Sequence, residues 1–337
     1  MGPLNTVLPL GSSILSFLFA GLVFDQWLQR RRAFQLVWAL GLTWYGIGAG
    51  TEFLGTAIGW NSGLYRAWYL FGALLVAAYL GAGTVYLLSR SSFGYFAAFA
   101  VFSGGLFAQL SQLRLVKEGL PAPQGAVDLV IEITTVSAVA IIVTTAARRR
   151  LTGHVVMALL VVATAIGAFL VIAAPLPAPG YALDPLTHVP VGTAMPGYLR
   201  IMSGPFNIAG AFCLVFGAIY SAYVYMPKRK VLSVRFGALA VVVNLFASLP
   251  RAVMALLQGK LNSRVPATIL IALGGFIPSL TSGLNRFGIT WAFFLGEFLG
   301  VVFIFAGFLI SEEVFRNLRM PAGITLWQRP EGRPEIG

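Results

Sequence analysis

Long stretches of this chain carry no charged residue at all: residues 1–24, 67–89, 91–113 and 201–227. A helix crosses the hydrocarbon layer of a membrane with about 20 apolar residues. Outer-membrane strands alternate apolar and polar residues, whereas these blocks are apolar on every side. The constraint is therefore severe. In hydrocarbon each backbone polar group must find its partner within the segment, and the α-helix does this alone.

Composition agrees. Of the 337 residues, 58% are hydrophobic and 10% are charged, against roughly 25% charged in a soluble domain. The expected fold is an all-α, polytopic transmembrane helix bundle. About nine crossings are expected, plus one short re-entrant or interfacial apolar segment. The crossings are placed at about residues 5–27, 33–54, 66–88, 93–112, 128–147, 153–174, 201–225, 267–284 and 288–311. Residues 1–312 form one domain, and residues 313–337 a short cytoplasmic tail. The first block lacks the basic n-region and cleavage site of a signal peptide and reads as a retained helix.

The net charge is +12, from 23 Lys and Arg against 11 Asp and Glu. These cations sit mostly in short loops, as membrane topology requires, so nucleic acid is not an expected partner. Membrane lipid is, and so is a partner membrane subunit. Arg30–Arg32, Arg90, Arg148–Arg150 and Lys228–Lys230 fall in alternate loops, which places the N-terminus outside.

Residues 236–257 are ambiguous, because their apolar run is broken at Pro250 and Arg251. If this segment does not cross, 18 of the 23 basic residues lie inside and 5 outside. If it and both later helices cross, the division is 12 and 11. If residues 267–284 are re-entrant instead, it is 15 and 8. The first is preferred, which puts the C-terminus in the cytoplasm.

Intramembrane charges are functional suspects. Glu297 is expected about 13 Å below the outer end of its helix. Glu132 and Glu52 are expected in the outer half, with Gln109 and Asn207 at the same level. These residues suggest an outward-opening polar cavity with Glu297 at its base and Glu132 on its wall. Interhelical hydrogen bonds and carboxylate–arginine pairs that only fix packing would explain them as well. Arg251 either snorkels to cytoplasmic headgroups or holds an acidic group in a cavity. Trp60, Tyr65, Trp68 and Tyr69 read as an aromatic belt at the outer boundary. The six prolines of residues 175–200 suggest an ordered, irregular cover over that face, since proline disfavours regular structure yet stiffens the chain. Gly296 and Gly300 form a GxxxG pair, expected to serve packing within the chain.

No catalytic, metal or cofactor residue is assigned. The two histidines, His154 and His188, fall on opposite faces and cannot share a haem or zinc. No P-loop, HExxH or GxSxG motif is present. No lysine is expected in a helix interior to form a Schiff base, since Lys117, Lys228, Lys230 and Lys260 fall in loops or at helix ends.

Residues 64–73 run Leu-Tyr-Arg-Ala-Trp-Tyr-Leu-Phe-Gly-Ala, and residues 81–88 run Gly-Ala-Gly-Thr-Val-Tyr-Leu-Leu. Later come Gly-Leu-Asn-Arg-Phe-Gly at 283–288, Gly-Glu-Phe-Leu-Gly at 296–300 and Phe-Ala-Gly-Phe-Leu at 305–309. In these segments the chain resembles a group of uncharacterised bacterial multi-pass integral membrane proteins. Its first five helices are loosely similar to membrane sensor regions of histidine kinases. The resemblance implies the bacterial cytoplasmic (inner) membrane, and no activity or catalytic residue. Three function classes follow as expectations. One is a non-enzymatic complex subunit or sensor-like module. The second is a small-solute or ion transporter with an outward-facing polar cavity. The third is a membrane enzyme on a lipid-soluble substrate.

Overall fold

The computed structural model describes residues 4–117, 119–121, 123–233, 237–258, 262, 264–286 and 289–310. The expected tail, 313–337, lies outside them, as does Lys260. The described chain is an α-helical bundle, and among the described residues it contains no strand. Its helices are α1 (Leu4–Arg30), α2 (Ala33–Ile58), α3 (Ser62–Ala67), α4 (Val76–Leu87), α5 (Phe93–Lys117), α6 (Gln124–Arg148), α7 (Thr152–Ala173), α8 (Gly197–Tyr225), α9 (Gly237–Leu257), α10 (Arg264–Arg286) and α11 (Phe293–Ile310). A π-helical segment, Trp68–Leu75, joins α3 to α4 without a break in the rod.

Seven stretches are long and apolar enough to cross a membrane, and one of them, Gln124–Ala173, contains both α6 and α7. The protein is thus a multi-pass, membrane-embedded helical bundle. Helix α2 is not among the seven, although it has 26 residues. Gln35, Thr51 and Glu52 lower its hydropathy, and all three are buried. A helix enclosed by other helices has less need of an apolar surface than one facing lipid.

Helix α8 is the hub, packed against α4, α5, α6 and α10. Small residues make this possible, because helix association in lipid depends on close backbone approach. A Cβ on Gly81 of α4 would lie 2.7 Å from the Cα of Gly210 in α8. A Cβ on Gly48 of α2 would lie 2.8 Å from the Cα of Gly72 in the π segment. The GxxxG pair is spent inside the chain, with Gly296 against Thr281 and Gly300 against Pro278 of α10.

The bundle has two unlike faces. One is basic, carrying Arg30, Arg31 and Arg32, Arg90, and Arg148, Arg149 and Arg150 in the α1–α2, α4–α5 and α6–α7 connections. The other is roofed by residues 174–196, the segment rich in proline. This segment is ordered and irregular. Leu183 and Pro190 form an isolated antiparallel bridge, and Val189 is buried against Phe293 and Phe294. Asn5 Nδ2 donates to the Thr187 carbonyl (2.8 Å), and Tyr65 Oη to that of Val191 (2.5 Å).

Helix α9 sits apart. Asn244, Ser248 and Arg251 form a stripe along it that grips the preceding connector. Asn244 Oδ1 accepts from the Val231 and Leu232 N–H groups, Ser248 Oγ from that of Arg229, and Arg251 Nη1 donates to the Lys228 carbonyl. Leu239, Val242, Phe246, Leu249 and Val253 are exposed on α9, spaced to share one helix face. The C-terminal end of α8 and the start of α10 lie together, because Arg264 donates to Tyr225 Oη (2.7 Å) and Met226, Ala252 and Val265 form one cluster.

Candidate functional site

A cavity of about 560 Å³ lies under the 174–196 roof and enters the helix layer. Its walls come from the π segment, α5, α8, α10, α11 and the roof itself. Glu297 lines it from α11, Asn285 and Ser282 from α10, Arg200 from α8, and Asp184 from the roof. Trp68 and Tyr69 supply aromatic surface.

The π segment sets this geometry. A π turn widens the helix by one residue and rotates the side chains that follow. At its start Trp68 Nε1–H donates to Glu52 Oε1 at 2.8 Å. Within the segment the Ala73 carbonyl accepts from Asn207 Nδ2, at 2.7 Å. Asn61 caps the start of α3 by accepting the Leu64 N–H, at 3.0 Å. Arg66 then reaches across to the end of α7, donating to the carbonyls of Val171, Ile172 and Ala174. Those carbonyls have no partner within their own helix, and a cation there complements the helix dipole.

Glu52 is 1% exposed. Its side chain lies within hydrogen-bonding reach of the Glu297 side chain. The two stand one behind the other: Glu297 keeps part of its surface open and lines the cavity, and Glu52 is sealed behind it. Tyr45 Oη donates to the Glu297 main-chain carbonyl (2.7 Å) and ties α2 to α11 at this level.

In the roof, Asp184 Oδ1 accepts from the Leu186 N–H, the Thr187 N–H and Thr187 Oγ1. The Thr187 N–H holds the Asp184 carboxyl below the ordinary carboxylate range against the opposing effect of partial burial, helped by the Thr187 hydroxyl, the Leu186 N–H and the Thr290 hydroxyl. Thr187 Oγ1 also bonds Thr290 Oγ1 (2.7 Å), and Asn285 Nδ2 donates to the Pro190 carbonyl (3.4 Å).

Of the six residues singled out from sequence, the structure brings Glu297 and Glu52 together and sets Asn207 just behind the cavity wall. The other three lie elsewhere. Glu132 is exposed on α6 and is not part of the lining. Gln109 is likewise exposed on α5, although its neighbours Leu110 and Ser111 line the cavity. Arg251 is on α9 at the basic end, bonded to the connector. The aromatic-belt reading is corrected: Trp60, Tyr65, Trp68 and Tyr69 are all buried and form a core under the roof instead of a ring facing lipid. Asp184, Arg114 and Asn285 belong to the lining and were not singled out. The Asp-Pro-Leu-Thr run at 184–187 is a turn signal of the Asx type that could have marked the first.

Among the described residues no three His, Cys, Asp or Glu side chains gather as a metal site. A second concavity, on the basic face, is lined by Arg90 and Arg148–Leu151. No protein-family model matches the chain, and no curated protein or solved structure is significantly similar to it. Its functional reading therefore rests on the geometry of the cavity and the two carboxyls beneath it.

Proposed function

We propose that the protein binds a small solute or ion from the outer side of the bacterial cytoplasmic membrane, in the roofed cavity, as a transporter or a solute sensor does. One observation carries this reading: a cavity of about 560 Å³ that enters the helix layer and ends on the acidic side chain Glu297. Ligand pockets typically combine apolar and aromatic walls with a few placed polar groups, and this cavity has both. A charged group inside a membrane domain is costly and marks a functional pathway by default.

Topology supports the orientation. The roofed face is outer because the arginine-rich connections all lie on the opposite face. The ends of α8 and α10 that meet on that opposite face favour α9 as an interfacial helix. The remaining helices then give about nine crossings and a cytoplasmic C-terminus.

A test uses Gly283, which lines the cavity and whose added Cβ would meet nothing within 4 Å. Gly283→Phe is expected to fill the cavity without disturbing the helix. A thermal-shift screen of amino acids, sugars, organic acids and inorganic ions on the full chain should yield a stabilising solute. Gly283→Phe and Glu297→Gln should each lose that response by at least tenfold in apparent affinity. A solute response untouched by Gly283→Phe would remove the cavity from the account.

The complex-subunit reading has an observation of its own. Glu132 is exposed on the outside of α6, about 12 Å along that helix from its start. On α6 the buried residues are Val127, Thr134, Ala138, Ile141 and Thr145, while Leu129, Ile133, Val136 and Val139 are exposed beside Glu132. A partner helix bearing a hydrogen-bond donor would shield that carboxylate. Native mass spectrometry of the protein from its own membrane would show the partner as a stoichiometric second chain.

A further inference from the structure

We propose that Glu52 and Glu297 hold a single proton between them, and that this proton exchanges with the outer medium through the cavity, so that the cavity floor is a proton-binding site. The proton pair stands on its own geometry. Its coupling to solute rests on the solute-binding reading above.

Ionised carboxylates only accept, so two carboxyl groups within bonding reach are joined only if one of them carries a proton. Glu52 Oε1 is satisfied by the Trp68 indole. Glu52 Oε2 is buried and has no N–H or O–H donor among the described residues. A proton on Glu297 supplies that donor. Two bare carboxylates in one desolvated site would instead repel each other, and paired acids elsewhere resolve this by sharing one proton.

Trp68 is a neutral donor. Tyr45, which also faces the pair, has its hydroxyl hydrogen directed at the Glu297 main-chain carbonyl. On α10, Thr281 packs against Gly296 with its hydroxyl donating to its own helix. Arg114, Arg200 and Asp184 line the same cavity. Glu297, partly open to the cavity, is the point of exchange, and Glu52 behind it has no route of its own.

A bound solute that is cationic would compete with the proton for the pair, one charge for one charge. The site therefore couples occupancy of the cavity to outer pH, as a proton-linked transporter or a pH-sensing receptor requires.

The test needs no solute. The full chain in lipid nanodiscs is examined by infrared spectroscopy at about pH 7, where a free glutamic acid is ionised. The expected result is a protonated carboxylic C=O band that is lost in both Glu52→Gln and Glu297→Gln. Unfolding temperature is then followed from about pH 5 to about pH 9. The native pair retains a proton that the unfolded carboxyls release, so stability should fall as pH rises. Each glutamine variant should flatten that fall, because its amide replaces the proton as donor. If one variant fails to fold, loss of the band in the other still assigns it to the pair, and absence of the band from wild type still overturns the proposal. Absence of the band from wild type, or a pH profile identical in wild type and both variants, would overturn the proposal. Either result would leave the solute screen with Gly283→Phe unaffected.

Discussion

Arg66 shows how one residue here serves the fold and the site together. Its guanidinium donates to three carbonyls at the end of α7, next to the point where the roof begins. Hydrogen bonds from a charged group contribute roughly 1.5–3 kcal/mol each, less where solvent reaches them. Arg66→Leu is expected to destabilise the protein by about 2–3 kcal/mol. Arg66→Lys should recover less than half of that, because an ammonium cannot fork across several acceptors. Thermal unfolding of the two variants checks both statements. Asp184 gives a pH prediction at the same scale. Its carboxyl is held below the ordinary range by donors that favour the charged form. Its contribution is therefore present above the unfolded value, near pH 4, and lost as pH falls through the lower folded value. Acidification below about pH 4 should loosen the roof. Asp184→Ala should loosen it at all pH values by about 1 kcal/mol, read as faster hydrogen exchange at Leu186 and Thr187. Neither role is visible from residue type alone. The pairing of Glu52 with Glu297 is less visible still, since it joins the second helix of the chain to its last described one.

The helices themselves were the legible level of this protein. Each apolar block must satisfy its own backbone in lipid, so block length and helix length are tied by physics. Rotation about the helix axis was not legible. Where both sides of a helix are apolar, one facing lipid and the other facing neighbours, no periodicity tells them apart. That is why Gln109 and Glu132, read as cavity groups, lie exposed while Ser111 lines the cavity. The buried aromatics misled for a related reason. Trp and Tyr at a membrane boundary ordinarily face the headgroups, but here a roof covers them. The π segment left no signal in composition. Two predictions belong to elements. Gly210→Leu in α8 should cost at least 3 kcal/mol or prevent folding, since even a Cβ there would meet backbone of α4 within 2.5 Å at Ala78 N. Asn244→Leu should release the connector from α9, leaving the N–H groups of Val231 and Leu232 without their acceptor. The expected loss is about 2–4 kcal/mol, with new protease sensitivity at residues 228–232.

At the scale of the molecule, two faces of opposite character enclose one bundle. The basic face carries the arginine-rich turns and the α9 grip. The roofed face carries an ordered cover whose hydrogen bonds reach α1, α3 and α10. The cavity lies between this cover and the Glu52–Glu297 pair, so access to the pair runs through the roofed side. The most direct measurement is labelling with a membrane-impermeant thiol reagent in intact cells, using Gly283→Cys on a Cys213→Ala background. An added side chain at Gly283 meets nothing within 4 Å, and Cys213 is the single native thiol. Gly283→Cys should be labelled from outside, and Arg251→Cys, on the basic face, only after the membrane is opened. Protection of Gly283→Cys from the outside reagent, with labelling only from the cytoplasmic side, would contradict access from the roofed side.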